Sequence, residues 1–204
     1  MNITIVSGSH RQNSQSIKIA KATKSAFKPL KECDEVSIFD LADNPLPLWH
    51  EDMKKVGKPS KSLIESISKK LACSDAFIII SPEWHGMVPA GLKNFFLMWS
   101  NGELAHKPAL IVTVSSGDGG SYPVAELRMS SYKNNRICFL PEHLIIRNVE
   151  SVFNDNEIDN NSSSQAYFEN RLDYCLKQLL TYGKAFKQIR ESDTVSIKKY
   201  GSGM

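Results

Sequence analysis

Ser7, Gly8, Ser9, His10, Arg11, Gln12, Asn13, Ser14, Gln15 and Ser16 follow one another near the start of the chain. Ser9, Ser14 and Ser16 bring hydroxyls, Arg11 brings a fixed positive charge, and Gly8 permits a tight turn. An apolar run precedes the stretch and a helix-like run follows it. Free N–H groups and the positive end of a helix dipole would therefore stand behind it. That combination suits a phosphate monoester. It lacks the G-K-[ST] of a nucleotide P-loop and the G-x-G-x-x-G of a dinucleotide fold. The same residues also make an ordinary Ser/Asn helix cap with an exposed arginine, and the spacing leaves both readings open.

Two further stretches carry the same kind of signal. Ser81 to Asn94 reads SPEWHGMVPAGLKN, with two prolines and two glycines fixing its backbone. Trp84, His85 and Met87 would give it a flat, partly apolar lining for a planar ring; the alternative is a turn and helix cap with a core tryptophan. Ser115 to Tyr122 reads SSGDGGSY. Its three glycines let a backbone approach a ligand closely, or simply make a flexible loop. Other candidates weigh less. His50, Glu51 and Asp52 are adjacent, and adjacent residues rarely converge on one ion, so no metal is expected. His106 and His143 read as ordinary loop residues. Asn160 and Asn161 fit the glycosylation pattern, which is idle without secretion.

The elements that must position these loops can be read from the apolar pattern. The chain has 204 residues, 41% hydrophobic and 23% charged. That is ordinary globular usage and excludes a disordered chain, a collagen or a coiled coil. The formal charge of +3 argues neither for nucleic acid nor for a strongly acidic electron carrier. Lys198 and Lys199 are too few for a nucleic-acid arm. The four cysteines, Cys33, Cys73, Cys138 and Cys175, lie far apart without zinc-type spacing. The opening MNITIVSGSHR has too short an apolar stretch for a secretory leader, and no run approaches the ~18 residues of a membrane span. A cytoplasmic protein with no membrane partner is expected.

Strands are expected at Ile3–Ser7, Glu35–Phe39, Ala76–Ile80, Ala109–Val114 and Leu144–Arg147. Helices are expected at Ser16–Lys28, around Ile64, Ile67 and Leu71, at Pro89–Ser100, at Pro123–Asn134 and from Phe168 to Ile189. Asp43 to Ser60 reads as a long loop and Asn160 to Ser164 as a polar linker. Alternating strands and helices mean an α/β doubly wound sheet, with ligands beyond the carboxyl ends of the strands. One domain over 1–190 and a loose tail over 191–204 are expected. Phe95, Phe96, Met98 and Trp99 make their helix apolar over more of its circumference than one core contact needs. That predicts a homodimer or homotetramer, unless the helix is deeply buried.

The G-S-x-R-x-x-S pattern in Gly8–Ser14, the S-P-E-aromatic loop with P-x-x-L-K-N in Ser81–Asn94, and the glycine-rich loop after the fourth strand occur in matching order over Met1 to about Asn148. Together they resemble the NADPH-dependent FMN reductases, a family with azoreductases, quinone reductases and chromate reductases among its members. The resemblance implies a flavodoxin-like five-stranded parallel sheet in the order 2-1-3-4-5, with helices on both faces, and a dimer or tetramer. It implies an enzyme taking hydride from NADPH or NADH onto FMN and on to a quinone, azo compound, free flavin or metal oxyanion. The rival readings are a flavodoxin-type electron carrier and a non-catalytic FMN-binding regulatory module. By position, Ser9, Arg11, Ser14, Gln15 and Ser16 would bind the phosphate. Pro82, Glu83, Trp84, His85, Gly86, Ser116, Gly117 and Gly120 would edge the isoalloxazine. No catalytic side chain is implied. Trp84 stands where Tyr is usual and His85 where Asn is common, and Asp118 adds a charge to the third loop. Trp49 is a candidate cap over a flavin, of its own or a neighbouring subunit.

Overall fold

The computed structural model describes residues 1–53, 57–192 and 194–201, and of residues 58 and 59 the backbone alone. The elements run β1 (Asn2–Ser7), α1 (Gln15–Ala26), β2 (Glu35–Asp40), α2 (Lys58–Cys73), β3 (Ala76–Pro82), α3 (Ala90–Met98), β4 (Pro108–Val114), α4 (Ser121–Met129), β5 (Cys138–Ile146) and α5 (Ser162–Glu191). All neighbouring strands pair parallel, in the order β2-β1-β3-β4-β5. This is the flavodoxin-like sheet that the resemblance implies.

Every residue of β3 and of β4 is buried. Helices on both faces cover these strands, which is why they read as unbroken apolar runs. Ile78, Ile80, Leu110 and Val112 turn to one side, against Ile19 of α1 and Leu172, Cys175 and Leu179 of α5. Phe77, Ile79, Ala109 and Ile111 turn to the other, against Ile67 and Leu71 of α2, Leu92 and Phe95 of α3, and Leu127 of α4. The two-residue period of the strand sorts its apolar side chains between two cores. Because the chain passes from β1 outward to β2 and then back to β3, the loops after β1 and β3 diverge and leave a crevice between them.

Several expected boundaries shift. Strand β5 begins at Cys138, well before Leu144, and runs through Pro141. It is an edge strand, where a proline's missing N–H costs no ladder bond. Helix α4 ends at Met129 rather than Asn134, and begins at Ser121 with Pro123 in its first turn, where the N–H has no partner to lose. Helix α5 starts inside the expected linker because the Asn161 side chain accepts from the Ser164 N–H and caps it. The reading of α3 as an outward apolar face is corrected: Phe95, Phe96 and Trp99 are buried core residues, and Leu97 is the exposed one, at 57%. Among the described residues no helix is long and apolar enough to cross a membrane.

Candidate functional site

Gly8 leaves the end of β1 and at once donates its N–H to the Ile80 carbonyl of β3, 2.8 Å away. A Cβ there would stand 2.6 Å from both Ile80 O and Leu92 Cδ2, so only glycine lets the chain turn this closely under β3. The loop then rises to the N-terminus of α1. Ser9 is buried, and its Oγ accepts from the Arg11 N–H at 3.2 Å. Ser14 caps α1 by accepting from the Ile17 N–H at 3.2 Å. Asn13, in the left-handed region at φ 52°, makes the bend before the cap.

These residues open onto a cleft of about 240 Å³ lined by Ser9, Arg11, Asn13, Ser14, Gln15 and Ser16 from the first loop. Pro82, Glu83 and Trp84 line it from the end of β3, Val114, Ser115 and Ser116 from the end of β4, and Val149 and Glu150 from the segment after β5. Ser16 Oγ and Gln15 Oε1 are buried and have no hydrogen-bond partner. Both sit in the first turn of α1, whose N–H groups lack intrahelical acceptors. Buried polar atoms are normally paired. The Ser16 hydroxyl, the free N–H groups of the first turn of α1 and the exposed Arg11 guanidinium beside them can all donate to an anion, and Gln15 can join them through its amide NH2, since its Oε1 only accepts. The donor set (hydroxyls, an amide side chain, N–H groups and one guanidinium) fits a phosphate monoester, and so fits the phosphate end of FMN.

A second depression of about 410 Å³ is lined by Arg11, Glu83, Trp84 and His85, and shares the first three with the cleft. Trp84 and Met87 exchange two backbone hydrogen bonds, 3.1 and 2.9 Å, around His85 and Gly86, both at positive φ (50° and 73°). This is a two-residue hairpin of the primed type. It presents His85 at its exposed tip. The His10 ring meets Trp84 edge-on, with centroids 4.7 Å apart and planes at 80°, and so joins the first loop to the second. A flat aromatic wall beside an anion cradle is the arrangement that a planar ring on a phosphorylated chain requires.

The structure gathers nine of the thirteen expected residues around the cleft itself: Ser9, Arg11, Ser14, Gln15, Ser16, Pro82, Glu83, Trp84 and Ser116. His85 joins them at the adjoining depression. Gly86, Gly117 and Gly120 line neither. Gly120 is buried at φ 102°, where a Cβ would lie 2.5 Å from Ile145 Cγ2, and it shapes the entry to α4. The Glu83 carboxylate is engaged within the protein, accepting from the Gly120 N–H at 2.6 Å. Trp49 lies away from its own chain's cleft, in a groove with Leu97 and Lys133, its N–H bonded to Asn94 Oδ1 at 2.7 Å. Among the described residues no three His, Cys, Asp or Glu side chains converge as for a metal. The wall that sequence reasoning missed is Val149 and Glu150. Asn148 N–H bonds Gly117 O at 3.1 Å, Val149 N–H bonds Ser115 O at 3.1 Å, and Ser116 Oγ bonds Glu150 Oε1 at 3.2 Å. No motif marks this segment. Only its return from an edge strand brings it there.

A family model described as NADPH-dependent FMN reductase matches residues 1–150. An NADPH azoreductase from Bacillus sp. (strain OY1-2) is 26% identical over 123 residues, 59% of this chain and 62% of that one. An FMN-dependent NADPH-azoreductase from Staphylococcus saprophyticus is 28% identical over 127 residues, 61% of this chain and 66% of that one. The chain thus spans just under two thirds of the azoreductases it matches. A quinone reductase from Pseudomonas putida is 29% identical over 161 residues, 76% of this chain and 82% of that one. Among solved structures, FerB from Paracoccus denitrificans, a flavoenzyme NAD(P)H:(acceptor) oxidoreductase, superposes with a TM-score of 0.69 at 17% identity, over 89% of this chain and 98% of that one. At that identity the likeness shows the fold alone.

Proposed function

The chain belongs to the NADPH-dependent FMN reductase family, and we propose that it works as an FMN-dependent NAD(P)H oxidoreductase on a small acceptor: a quinone, an azo compound, free flavin or a metal oxyanion. The observation that carries this reading is the buried Ser16 hydroxyl, without a protein partner, at the α1 N-terminus in one cleft with Arg11, Ser9 and Trp84. When bound there, FMN supplies the hydride chemistry. The protein's part is to hold, orient and exclude. Ser9, Arg11, Ser14, Gln15 and Ser16 hold the phosphate, with the α1 dipole behind it. Trp84 and His85 border the ring, Ser116 and Ser115 face it from β4, and Pro82 stiffens the floor. Glu83 acts one step back by fixing the third loop through Gly120. No side chain is assigned an acid or base role, because hydride transfer needs none.

The family's name and the named azoreductases support NADPH as reductant, with NADH as the alternative. Exposed Leu97, Met129 and Tyr132 on the α3 and α4 side, with Leu48 and Trp49 beside them, support a homodimer or homotetramer through that side. Four free cysteines support the reducing cytoplasm. The test is an absorbance spectrum of the purified protein before and after NADPH, and again with NADH. The expected outcome is a flavin band that fades on addition of reductant. A band that persists through both favours an electron carrier reduced by another protein. Absence of flavin, with none taken up on reconstitution, contradicts the reading.

A further inference from the structure

Lys18 stands in the first turn and a half of α1, where a lysine reads as part of a solvated face. Its ammonium points instead across the molecule. It donates to Val149 O at 2.7 Å, to Val152 O at 2.8 Å and to Asn154 Oδ1 at 2.8 Å. All three acceptors belong to the turn after β5, and Val149 and Val152 are themselves buried in the α1/α5 core. Burial lowers this amine from its ordinary value, while Glu150 and Asp155 work the other way and favour the charged form.

The turn it holds is built around one asparagine. Asn154 Nδ2 donates to Glu150 O at 2.8 Å and to Asp159 O at 3.0 Å, and its N–H donates to Asn160 Oδ1 at 2.9 Å. The Phe153 N–H donates to Gln165 Oε1 of α5 at 2.7 Å. Asn148 and Phe153 sit at positive φ, 48° and 55°, an unfavourable conformation that persists only when surroundings enforce it. The turn is therefore tied internally through Asn154, to α5 through Gln165, to the loop after β4 through Asn148, Val149 and Glu150, and, among the described residues, to the helix that carries the anion cradle by the side-chain bonds of Lys18.

We propose that Lys18 is a positioning residue for the flavin cleft: it fixes the Val149–Glu150 wall relative to the N-terminus of α1, so that one helix both cradles the phosphate and sets the opposite side of the cleft. The inference rests on the functional reading above. It differs from a phosphate contact, because the Lys18 ammonium is occupied by three protein oxygens. Loss of the ammonium takes a charged donor from the carbonyls of two buried residues and removes the wall's tie to α1, leaving its bonds to the loop after β4 and the turn's bond to α5 to hold it.

The test compares the full-length wild type with Lys18→Met and Lys18→Arg, each freed of flavin. FMN and riboflavin are titrated into each, and amide hydrogen exchange is followed by mass spectrometry. For Lys18→Met the expected result is a rise in Kd of about tenfold, equivalent to ~1.4 kcal/mol. Both flavins should lose affinity, because the wall serves both. Exchange should rise in 148–160 and leave β3 and β4 protected. The Lys18→Arg guanidinium should recover most of the affinity by reaching two of the carbonyls. Unchanged flavin affinity alongside faster exchange in 148–160 overturns the inference, as does exchange that rises throughout the sheet. A wild type that takes up no flavin overturns the functional reading and the inference with it. Binding by the wild type with an equal constant in Lys18→Met overturns the inference alone.

Discussion

The Gly120 N–H donates to Glu83 Oε2 at 2.6 Å, joining the loop after β3 to the loop after β4 at the edge of the cleft. Gly120 O in turn accepts from Thr113 Oγ1 at 2.7 Å. One carboxylate thus fixes a glycine whose N–H would otherwise face the start of α4 unpaired. The S-P-E sequence places that carboxylate where it organises a neighbouring loop. Two of the three loops around the cleft share a single hydrogen bond, and the His10–Trp84 contact joins the third.

Glu83→Ala should loosen the loop after β4 without opening the core. A hydrogen bond to a charged group is worth roughly 1.5–3 kcal/mol. At this chain length each kcal/mol moves Tm by roughly 2–4 °C. Thermal unfolding should show a loss of several degrees and flavin titration a weaker site, with Glu83→Gln intermediate because its amide oxygen still accepts. A Glu83→Ala protein with wild-type Tm and wild-type flavin affinity would count against the bond.

Gly117 and Gly120 share one loop and should respond unequally to substitution. Gly120→Ala forces a Cβ to within 2.5 Å of Ile145 Cγ2 at φ 102° and should cost roughly 1–3 kcal/mol or more. Gly117→Ala meets nothing within 4 Å and should leave the stability within about 0.5 kcal/mol of wild type. Melting curves of the two single variants decide this, and equal losses would contradict the geometry.

His85→Asn should stabilise the fold. His85 occupies the first position of the primed hairpin turn at φ 50°, followed by Gly86 at 73°. Asn-Gly is the pair this turn favours most. A gain of up to about 1 kcal/mol is expected, read as a higher denaturation midpoint, the low end of the roughly 1–3 kcal/mol that αL strain costs a non-glycine residue. A lower midpoint would mean that the imidazole makes a stabilising contact at the cleft mouth.

Stability should fall as pH drops below about 6.5. Burial lowers the His143 imidazole, and Arg128 beside it lowers it further, against Glu142. Burial lowers His106 as well, with Arg136 and Arg190 adding to the effect. In that window the unfolded chain binds protons that the native histidines resist, so protonation favours unfolding, and the loss grows until pH passes the native values. Above about 6.5 the two sites contribute no pH dependence. Urea midpoints from pH 7.5 to 5 should show the decline, and the double variant His106→Asn, His143→Gln should flatten it. A decline of equal slope in the double variant would assign it to other groups.

The fold was legible where contacts are local or the pattern is strong. β3 and β4 are continuous apolar runs because helices cover both faces, and their lengths came close to the observed ones. The cradle was legible because Gly8, Ser9, Arg11 and Ser14 lie within one loop and cap. What escaped depends on distant chain. Phe95 and Trp99 read as a surplus apolar face because the sequence does not say how many layers will cover α3. Val149, Glu150 and Lys18 escaped because their roles exist only once β5 has paired at the edge and the chain has folded back over α1. The packing of Gly120 against Ile145 is illegible for the same reason, because a glycine required by a distant side chain and one required by a ligand look alike in sequence.

The central claim is that the Ser9–Ser16 loop holds a flavin phosphate through Arg11 and the α1 N-terminus. FMN and riboflavin titrated into flavin-free wild type and Arg11→Ala test it directly, because riboflavin lacks only the phosphate. A charge-assisted bond of roughly 1.5–3 kcal/mol should cost Arg11→Ala about one to two decades of FMN affinity while riboflavin binding changes little. Equal FMN affinity in the two proteins would contradict the claim, and an equal loss for both ligands would assign Arg11 to the fold of the loop instead of the phosphate.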